Sequence, residues 1–390
     1  MKQPTVLFLT TSYPSPDQPA GGIFVREHAL AAATSCSVGL VDLDRSASTR
    51  GLYDLQPLPD ERFPAWRARY RRFSRPVSYS AFALGAIAGF NRFRREHADP
   101  DVLHANSFLS ACAALICGVR FRKPVVYTEH ATIFIAENPG RLSRGMQRLA
   151  RLALERSAFV LPVSADLRTS LAALAPSARF RVVPNAVDTE LFSPGRGRGA
   201  NDPPRLLTVG LLDTERKGLD ILLEAMAHVR ETDRAFHLDV VGEGGLRPEY
   251  EALAGRLGLD PSVTFHGFRP KDEVAGLMRK ADVFVLGSRF ENNPCVVIEA
   301  MATGLPVVAP QVGGLAELVD HESGRLARPR DPHDLGDKIG AVLDGLHRFD
   351  GATISARAAE RFGHAAIGRA LRDVYLQAIS DTKRASAARA

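Results

Sequence analysis

Short apolar runs alternate along the chain with longer stretches in which apolar residues recur at helical spacing. Continuous apolar runs are typical of strands that are buried on both faces of a sheet. We predict strands at 5–9, 101–103, 124–127, 159–162, 180–183, 205–209, 236–241, 262–265, 282–286 and 305–308. Because strands that alternate with helices form parallel sheets covered by helices, the pattern predicts an α/β fold.

The chain of 390 residues is longer than one ordinary hydrophobic core supports. Residues 193–204 are rich in Gly, Pro and Arg and contain no apolar anchor, so we predict a linker there. The linker separates two Rossmann-like, doubly wound domains at 1–192 and 205–361, and helical spacing predicts a last helix at 362–380. Two such domains facing each other across a cleft would bind a ligand at the carboxyl ends of their strands.

The composition narrows the class of protein. A formal net charge of +6 favours an anionic partner, but no known nucleic-acid-binding module is present and we expect no nucleic acid. The four cysteines lack zinc or redox spacing, which predicts free thiols in a reducing compartment. Apolar stretches at 81–90 and 109–119 are too short to span a bilayer, and residues 1–10 lack the longer apolar region and cleavage site that are typical of a signal peptide. We expect a cytoplasmic protein in which both stretches are buried helix segments.

Two glutamates lie eight positions apart across a predicted loop-to-helix junction. Glu291 follows the predicted strand at 282–286, and Glu299 lies about one and a half turns into the next helix. Asn293 is predicted as the N-cap of that helix and Pro294 as its first residue. Gly304 and Pro306 then end the helix.

The start of this predicted helix offers a site for an anion. The amides of Cys295 and Val296 point out of the helix start, where they lack carbonyl partners within the helix. This surface therefore combines a predicted phosphate-binding site with the carboxylates of Glu291 and Glu299, which can accept hydrogen bonds from hydroxyl groups. A nucleotide sugar needs both kinds of group.

The stretch resembles the E-x7-E signature of retaining GT-B glycosyltransferases of group 1, which include bacterial mannosyl- and glucosyltransferases. The surrounding Glu-Ala-Met-Ala-x-Gly-x-Pro sequence and Gly313-Gly314 resemble that family too. The resemblance implies that Glu291 contacts the donor sugar and that Glu299 holds the ribose hydroxyls. The spacing by itself also fits an ordinary amphipathic helix with a surface glutamate on each side.

The resemblance covers nearly the whole chain and implies the GT-B fold. Residues 182–192 resemble the segment between the domains, and 362–380 resemble the last helix, which crosses back to the first domain. Residues 209–219 resemble the phosphate-binding segment, which implies that Lys217 grips the diphosphate. The family usually has Arg where this chain has Leu211. Arg216 is either the replacement cation or a solvated surface residue.

Further site residues follow from the resemblance. Gly242 would let the backbone approach the nucleotide, and Phe268 lies in the segment beside the base. Gly21 and Gly22 precede the first helix, where the acceptor and, at Gly22, the donor phosphate would bind. His130 ends a predicted strand, and the resemblance implies a hydrogen bond to the sugar near its reacting face. A purely structural His is the alternative.

Two Arg-rich segments, 62–75 and 141–156, mix basic with apolar side chains. This pattern predicts amphipathic surfaces that could bind anionic lipid. It is equally typical of elements that pack on the domain through one face and expose the other face to solvent. If the acceptor is lipid-linked, these segments would hold the protein peripherally on the inner face of the cell membrane, where the acceptor lies.

The expected function is transfer of a hexose from a nucleotide diphosphate sugar to a hydroxyl of a glycan or lipid-linked acceptor. The resemblance implies retention of anomeric configuration, a place in surface polysaccharide or glycolipid synthesis, and no metal or other cofactor. Two alternatives stay open. One is a non-catalytic nucleotide-sugar or glycan-binding protein on a decayed transferase, and the other is a nucleotide-sugar epimerase. A nicotinamide oxidoreductase is least favoured, because residues 242–245 lack a full glycine fingerprint.

Overall fold

The computed structural model describes residues 3–16, 18–46, 49, 51–59, 61–71, 75–135, 142–195 and 201–388. Packing divides the chain into two compact units, residues 1–186 with 364–390 and residues 187–363. Residues 187–192, which the sequence assigned to the first domain, pack with the second unit. The other predicted domain bounds stay a prediction, and residues 196–200 of the predicted linker lie outside the described part of the chain.

The strands have the following bounds: β1 Thr5–Thr10, β2 Ser37–Ser46, β3 Tyr53–Pro57, β4 Ala65–Arg71, β5 Val102–Asn106, β6 Val125–Glu129, β7 Phe159–Pro162, β8 Arg205–Val209, β9 His237–Val241, β10 Val263–Gly267, β11 Val283–Val285, β12 Val307–Pro310 and β13 Gly324–Ala327. The α-helices have the following bounds: α1 Ile23–Ala33, α2 Arg75–Glu96, α3 Phe108–Phe121, α4 Arg144–Arg156, α5 Ala165–Leu174, α6 Leu219–Glu231, α7 Arg247–Arg256, α8 Lys271–Lys280, α9 Cys295–Ala302, α10 Leu315–Leu318, α11 Pro332–Asp344, α12 Gly351–Phe362 and α13 His364–Ala387.

The first unit contains a sheet in the order β3-β4-β2-β1-β5-β6-β7. Its pairs are parallel except that β3 runs antiparallel to β4. Alternate side chains of β1 enter different cores, because successive residues of a strand point to opposite faces. Val6 and Phe8 pack with residues of α1 and α13, and Leu7 and Leu9 pack with residues of α2 and α3. The apolar run of β1 is therefore buried by helices on both faces.

The second unit contains a parallel sheet in the order β10-β9-β8-β11-β12-β13. Leu206 of β8 packs with residues of α6 and α11, and its neighbour Leu207 packs with residues of α9 and α12. The strand order reverses between β8 and β11, where a crevice opens at the carboxyl ends of the strands in such sheets. The chain enters and leaves this unit side by side, since Val187 forms a parallel bridge with Gly363.

The α/β prediction is confirmed, and most predicted strands match within about two residues. The strand predicted at 180–183 is wrong, because only Phe180 forms an isolated bridge, to Val160. The stretches 81–90 and 109–119 lie in α2 and α3 and are mostly covered, but Leu84 of α2 and Ile116 and Val119 of α3 are exposed. Among the described residues, no helix is long and apolar enough to cross a membrane.

The two Arg-rich segments differ from each other in how they fit the predicted lipid-binding surfaces. Arg67 of β4 is buried, and its Nε donates to Asp42 Oδ2 at 2.7 Å, so it does not belong to an exposed basic face. Burial raises the pKa of Asp42 to about 6 against the opposing effect of Arg67. In α4, Ala150, Ala153 and Leu154 pack into the core, which leaves an exposed basic side. Residues 72–74 and 141 lie outside the described residues.

Candidate functional site

A tight backbone contact places the turn that follows β8 beside the loop that follows β11. Residues Glu215–Lys217 form a 3₁₀ turn, and Gly218 then adopts a left-handed conformation with φ 57° before α6 begins. A side chain at Gly218 would clash with the carbonyl oxygen of Gly287. Only glycine satisfies both the positive φ and the close approach. The contact brings Lys217 to the loop that carries Glu291.

The carboxylate of Glu291 lies in a cluster of cations and donors. The residue is only 3% exposed, and Lys217 Nζ donates to its Oε1 at 2.6 Å. Ser288 Oγ donates to the same oxygen at 2.9 Å, and Arg216 Nη1 lies 3.7 Å from Oε2. Burial alone would raise the pKa of Glu291. The charges of Lys217 and Arg216 and the two hydrogen bonds outweigh burial and lower that pKa, so the side chain is an anion at neutral pH.

The second glutamate lies on the helix that follows. Glu299 is 6% exposed, and its Oε1 lies 3.1 Å from Nζ of Lys271. Both glutamates are therefore buried, which contradicts the alternative of an ordinary helix with surface glutamates. Gly304, with φ 84°, follows the helix end as predicted.

The predicted helix start is wrong by one residue. Pro294 is the N-cap of α9, with φ −68° and an extended ψ of 117°, and Cys295 is the first helical residue. The carbonyl of Pro294 accepts from Val297 N at 3.1 Å, whereas buried Asn293 precedes the cap. The amides of Cys295 and Val296 still belong to the first turn, where the helix offers them no carbonyl.

Three glycine-containing loops join at the carboxyl ends of β8, β9 and β10. The N–H of Gly210 donates to Val241 O, and the N–H of Gly242 donates to Gly267 O, each at 3.0 Å. A side chain at Gly242, where φ is 145°, would clash with Gly210 O. Leu211 and Phe268 are 52% and 46% exposed at this edge. Leu211 therefore supplies apolar surface at the position where the resemblance implies a cation.

In the first unit, His130 follows β6 within a polar network. Its Nδ1 lies 3.0 Å from Asn185 Oδ1, and its Nε2 lies 3.3 Å from Asn106 Nδ2. The amide nitrogen of Asn106 therefore donates to Nε2, and the protonated Nδ1 donates to the amide oxygen of Asn185. Burial, with His28 nearby, lowers the pKa of His130 well below its ordinary value. Glu129 accepts from the amide of His130 at 2.8 Å and fixes the backbone there. His130 is therefore neutral and held in place.

The glycine pair of the first unit lies at the start of α1. Gly22 is the N-cap of that helix with φ 62°, and a side chain there would clash with the backbone of Ser12. The amide of Gly21 donates to Gln18 O at 3.0 Å. Glycine at position 22 therefore lets the loop after β1 fold back on the helix start.

The first unit is expected to lose stability as the pH falls. His28 is fully buried, with Nε2 donating to Pro184 O at 2.9 Å, and burial lowers its pKa to about 4. The unfolded chain gains a proton at this side chain near pH 6.5 while the folded chain does not, so His28 alone lowers the free energy of unfolding by about 1.4 kcal/mol per pH unit between 6.5 and 4. Urea titrations followed by fluorescence of the single tryptophan, buried Trp66, measure this loss. His28→Gln should reduce the slope by this amount, while buried His104 and His130, whose pKa values are also lowered by burial, retain their own contributions. An unchanged slope in that variant would contradict the assignment.

The sequence did not single out several residues that shape the site. Ser288 and Lys271 contact the two glutamates, and Arg289 and Asp220 join the loop to the turn. Asp220 follows the Lys-Gly pair within the first turn of a helix, which is an ordinary position for a carboxylate and carries no specific signal. No group of three or more possible metal ligands occurs among the described residues.

The amino-acid sequence matches known proteins over most of the chain. Residues 203–345 match the family model described as glycosyl transferases group 1, and residues 50–191 match the one described as glycosyltransferase family 4. D-inositol 3-phosphate glycosyltransferase 2 of Catenulispora acidiphila is 33% identical over 310 residues, which are 73% of this chain and 72% of that protein.

Two solved structures share the fold. The sucrose-phosphate synthase from Thermosynechococcus elongatus has a TM-score of 0.78 at 24% identity and covers 97% of this chain and 100% of its own. Anabaena HepE, solved in complex with UDP, has a TM-score of 0.74 at 21% identity and covers 96% and 100%. The GT-B fold predicted from the sequence is thereby confirmed.

Proposed function

The chain belongs to the group 1, family 4 glycosyltransferases, and from this premise we propose that it moves a hexose from a nucleotide diphosphate sugar to a hydroxyl of a glycan or lipid-linked acceptor. The family is retaining and takes its sugar from a nucleotide sugar, so the proposal concerns the transferred group and the acceptor. The observation that carries it is the buried Glu291 carboxylate with Lys217 at 2.6 Å and Arg216 at 3.7 Å beside the switch point of the sheet.

Charge balance supports a diphosphate at this place. Lys217 and Arg216 bring two positive charges to the single negative charge of Glu291, so one cation stays uncompensated within the cluster. A leaving nucleoside diphosphate carries two to three negative charges, and fixed cations and amide dipoles stabilise such charge in a preorganised site. The amides of Cys295 and Val296 add the dipole of α9. We assign Arg216 as the cation that replaces the arginine missing at Leu211.

The remaining donor contacts follow from the same assignment. Glu291 accepts from hydroxyls of the sugar, and Glu299 accepts from the ribose. Gly242 allows close approach of the backbone, and Phe268 offers an exposed apolar surface to the base. The neutral imidazole of His130 suits a hydrogen bond to a sugar hydroxyl.

The reaction needs no covalent enzyme intermediate in this proposal. The acceptor hydroxyl attacks the anomeric carbon on the face that the diphosphate leaves. The bond to the acceptor oxygen forms as the bond to the phosphate oxygen breaks, and the acceptor proton moves to that phosphate oxygen. Gly21 and Gly22 lie in the loop that we assign to the acceptor, and Gly22 also to the donor phosphate. Exclusion of water would limit hydrolysis of the donor.

A donor and acceptor screen tests the function. UDP-, GDP- and ADP-sugars are compared by thermal shift, because a bound donor stabilises the fold by mass action. Donors that bind are then assayed for release of nucleoside diphosphate with glycan, lipid-linked and inositol phosphate acceptors, the last because of the relative's specificity. NMR of the product should show the donor's anomeric configuration. Binding without turnover would favour the decayed transferase, and donor conversion without acceptor would favour an epimerase.

We also propose that the protein works on the cytoplasmic face of the membrane, bound through the exposed basic side of α4. Arg144 and Arg148 are exposed there, while the apolar side of the helix packs on the core. Each basic residue near an anionic bilayer contributes about 1 kcal/mol. Reversing both charges with glutamate should therefore weaken binding to anionic vesicles by at least about tenfold.

Vesicle sedimentation measures this binding, with neutral vesicles as the reference. The matched control reverses two exposed arginines of the second unit, Arg256 and Arg328, and should leave the binding unchanged. Equal binding of the unmodified protein to neutral and anionic vesicles would rule out the surface.

A further inference from the structure

The guanidinium of Arg289 joins the loop after β11 to the turn after β8. Its Nη1 donates to Glu215 O at 2.6 Å and to Asp220 Oδ1 at 2.9 Å, and its Nη2 donates to Asp220 Oδ2 at 2.5 Å. The backbone N–H of Arg289 also donates to Arg216 O at 2.9 Å. The backbone and the side chain of Arg289 therefore both bond to the 3₁₀ turn. The side chain also bonds to Asp220 at the start of α6.

The turn lies outside the hydrophobic core, so polar contacts must fix it. None of the residues Glu215–Lys217 is buried, and within the turn Gly218 N donates to Glu215 O at 2.9 Å. The carbonyl of Glu215 thus accepts from both Gly218 and Arg289. Burial opposes the charge of Asp220, but Arg289 outweighs it and lowers the pKa of that carboxyl, which keeps the pair ionised at neutral pH.

The same loop and turn meet again through the cluster around Glu291. Arg289 contacts Glu215 and Asp220, and Arg216 and Lys217 lie between those two residues in the sequence. Glu291 follows Arg289 by two residues on the loop. A bidentate guanidinium–carboxylate pair restricts both partners in distance and orientation. The two cations therefore lie between a fixed anchor and the carboxylate that they contact.

We propose that Arg289 and Asp220 form a positioning pair, which holds the turn Glu215–Lys217 against the loop so that Lys217 and Arg216 face the leaving diphosphate. The inference rests on the proposed function, since it assigns a task to the two cations. Neither Arg289 nor Asp220 contacts the donor in this account. Both act through Lys217 and Arg216, because a cation that is misplaced by about 1 Å stabilises the transition state poorly.

The test compares Arg289→Ala and Asp220→Asn with a matched pair elsewhere in the same unit. Arg234 also binds a carboxylate with two nitrogens, at 3.1 and 2.7 Å from Asp344, but it follows the opposite end of α6 from the turn. We expect Arg289→Ala and Asp220→Asn to lower kcat/KM for transfer about 10- to 100-fold and to weaken nucleoside diphosphate binding measured by calorimetry. Arg234→Ala should change both by no more than about twofold.

A combined variant separates positioning from general stability. Because Arg289 acts through Lys217 and Arg216, adding Arg289→Ala to a variant that carries both Lys217→Ala and Arg216→Ala should cause little further loss of kcat, since both positioned groups are already absent. Independent, multiplicative losses would overturn the proposal. If Arg289→Ala fails to fold, Asp220→Asn carries the same test. Arg289→Lys keeps the charge but not the two-nitrogen geometry and should restore only part of the rate.

Two variants and a binding measurement distinguish the positioning pair from the transferase activity itself. An Arg289→Ala enzyme with normal kcat and diphosphate binding, beside an impaired Lys217→Ala enzyme, overturns the positioning pair and leaves the transferase assignment intact. An unmodified protein that binds no nucleoside diphosphate overturns both.

Discussion

Replacing Lys217 with alanine is expected to lower kcat/KM for sugar transfer by about 100- to 1,000-fold, the usual cost of removing one group that stabilises developing negative charge. Lys217 Nζ lies 2.6 Å from Glu291 and is the nearer of the two cations in this cluster. Steady-state kinetics with the donor found by the screen measure the loss. Lys338, whose side chain lies 3.9 Å from Asp334 on the surface, is the control, and Lys338→Ala should stay within about twofold.

Loss of Lys217 also leaves the buried carboxylate of Glu291 with weaker compensation, so a stability effect must be separated from a catalytic one. Removing one partner of a buried ion pair costs about 3–5 kcal/mol, and Arg216 and Ser288 offset part of this. Adding Glu291→Gln to Lys217→Ala removes the unpaired charge and should restore the thermal midpoint. Activity should remain low. Recovery of both would show that Lys217 serves only to neutralise Glu291.

Gly218→Ala is expected to impair both folding and transfer. The added methyl group would clash with Gly287 O, and alanine is strained at the φ of 57°. Such backbone strain costs about 1–3 kcal/mol, and displacement of the turn that carries Lys217 should lower kcat/KM about 100-fold. Calorimetric unfolding and transfer kinetics measure the two effects.

A second glycine of the same unit provides the matched control. Gly276 lies in α8, where an added methyl group would meet nothing within 4 Å. Gly276→Ala should raise the stability by up to about 1 kcal/mol, because alanine favours the helix, and should leave the rate unchanged. Equal behaviour of Gly218→Ala and Gly276→Ala would refute the role assigned to the close backbone contact.

The sequence predicted most of the strands that are buried on both faces, but it missed β2, β3, β4 and β13. The miss at β2 is the largest, since Val38 and Leu40 pack in one core and Val41 and Leu43 pack in another. β8 and β7 were predicted with the observed bounds, because apolar runs end at clear breaks. β4 was missed, since its arginines suggested a basic surface. Arg67 instead forms an ion pair with Asp42, which lies 25 residues earlier, and the local sequence pattern does not predict a pairing over that separation.

The candidate site was predictable as a set of residues but not as a geometry. Glu291, Glu299 and Lys217 followed from a resemblance, whereas the 2.6 Å contact between Lys217 and Glu291 joins residues 74 positions apart. The N-cap of α9 was misplaced because Asn293 and Pro294 both fit local preferences, and the extended ψ of Pro294 decided between them. The partners of Arg289 likewise depend on two loops that meet only in the folded sheet.

The bridge between Val187 and Gly363 has a practical consequence for engineering. Because both ends of the second unit lie side by side, residues 187–363 form one uninterrupted cassette. A chimaera that takes this cassette from a related enzyme needs only two splice points, and donor preference could be transplanted while the remainder of the chain stays native.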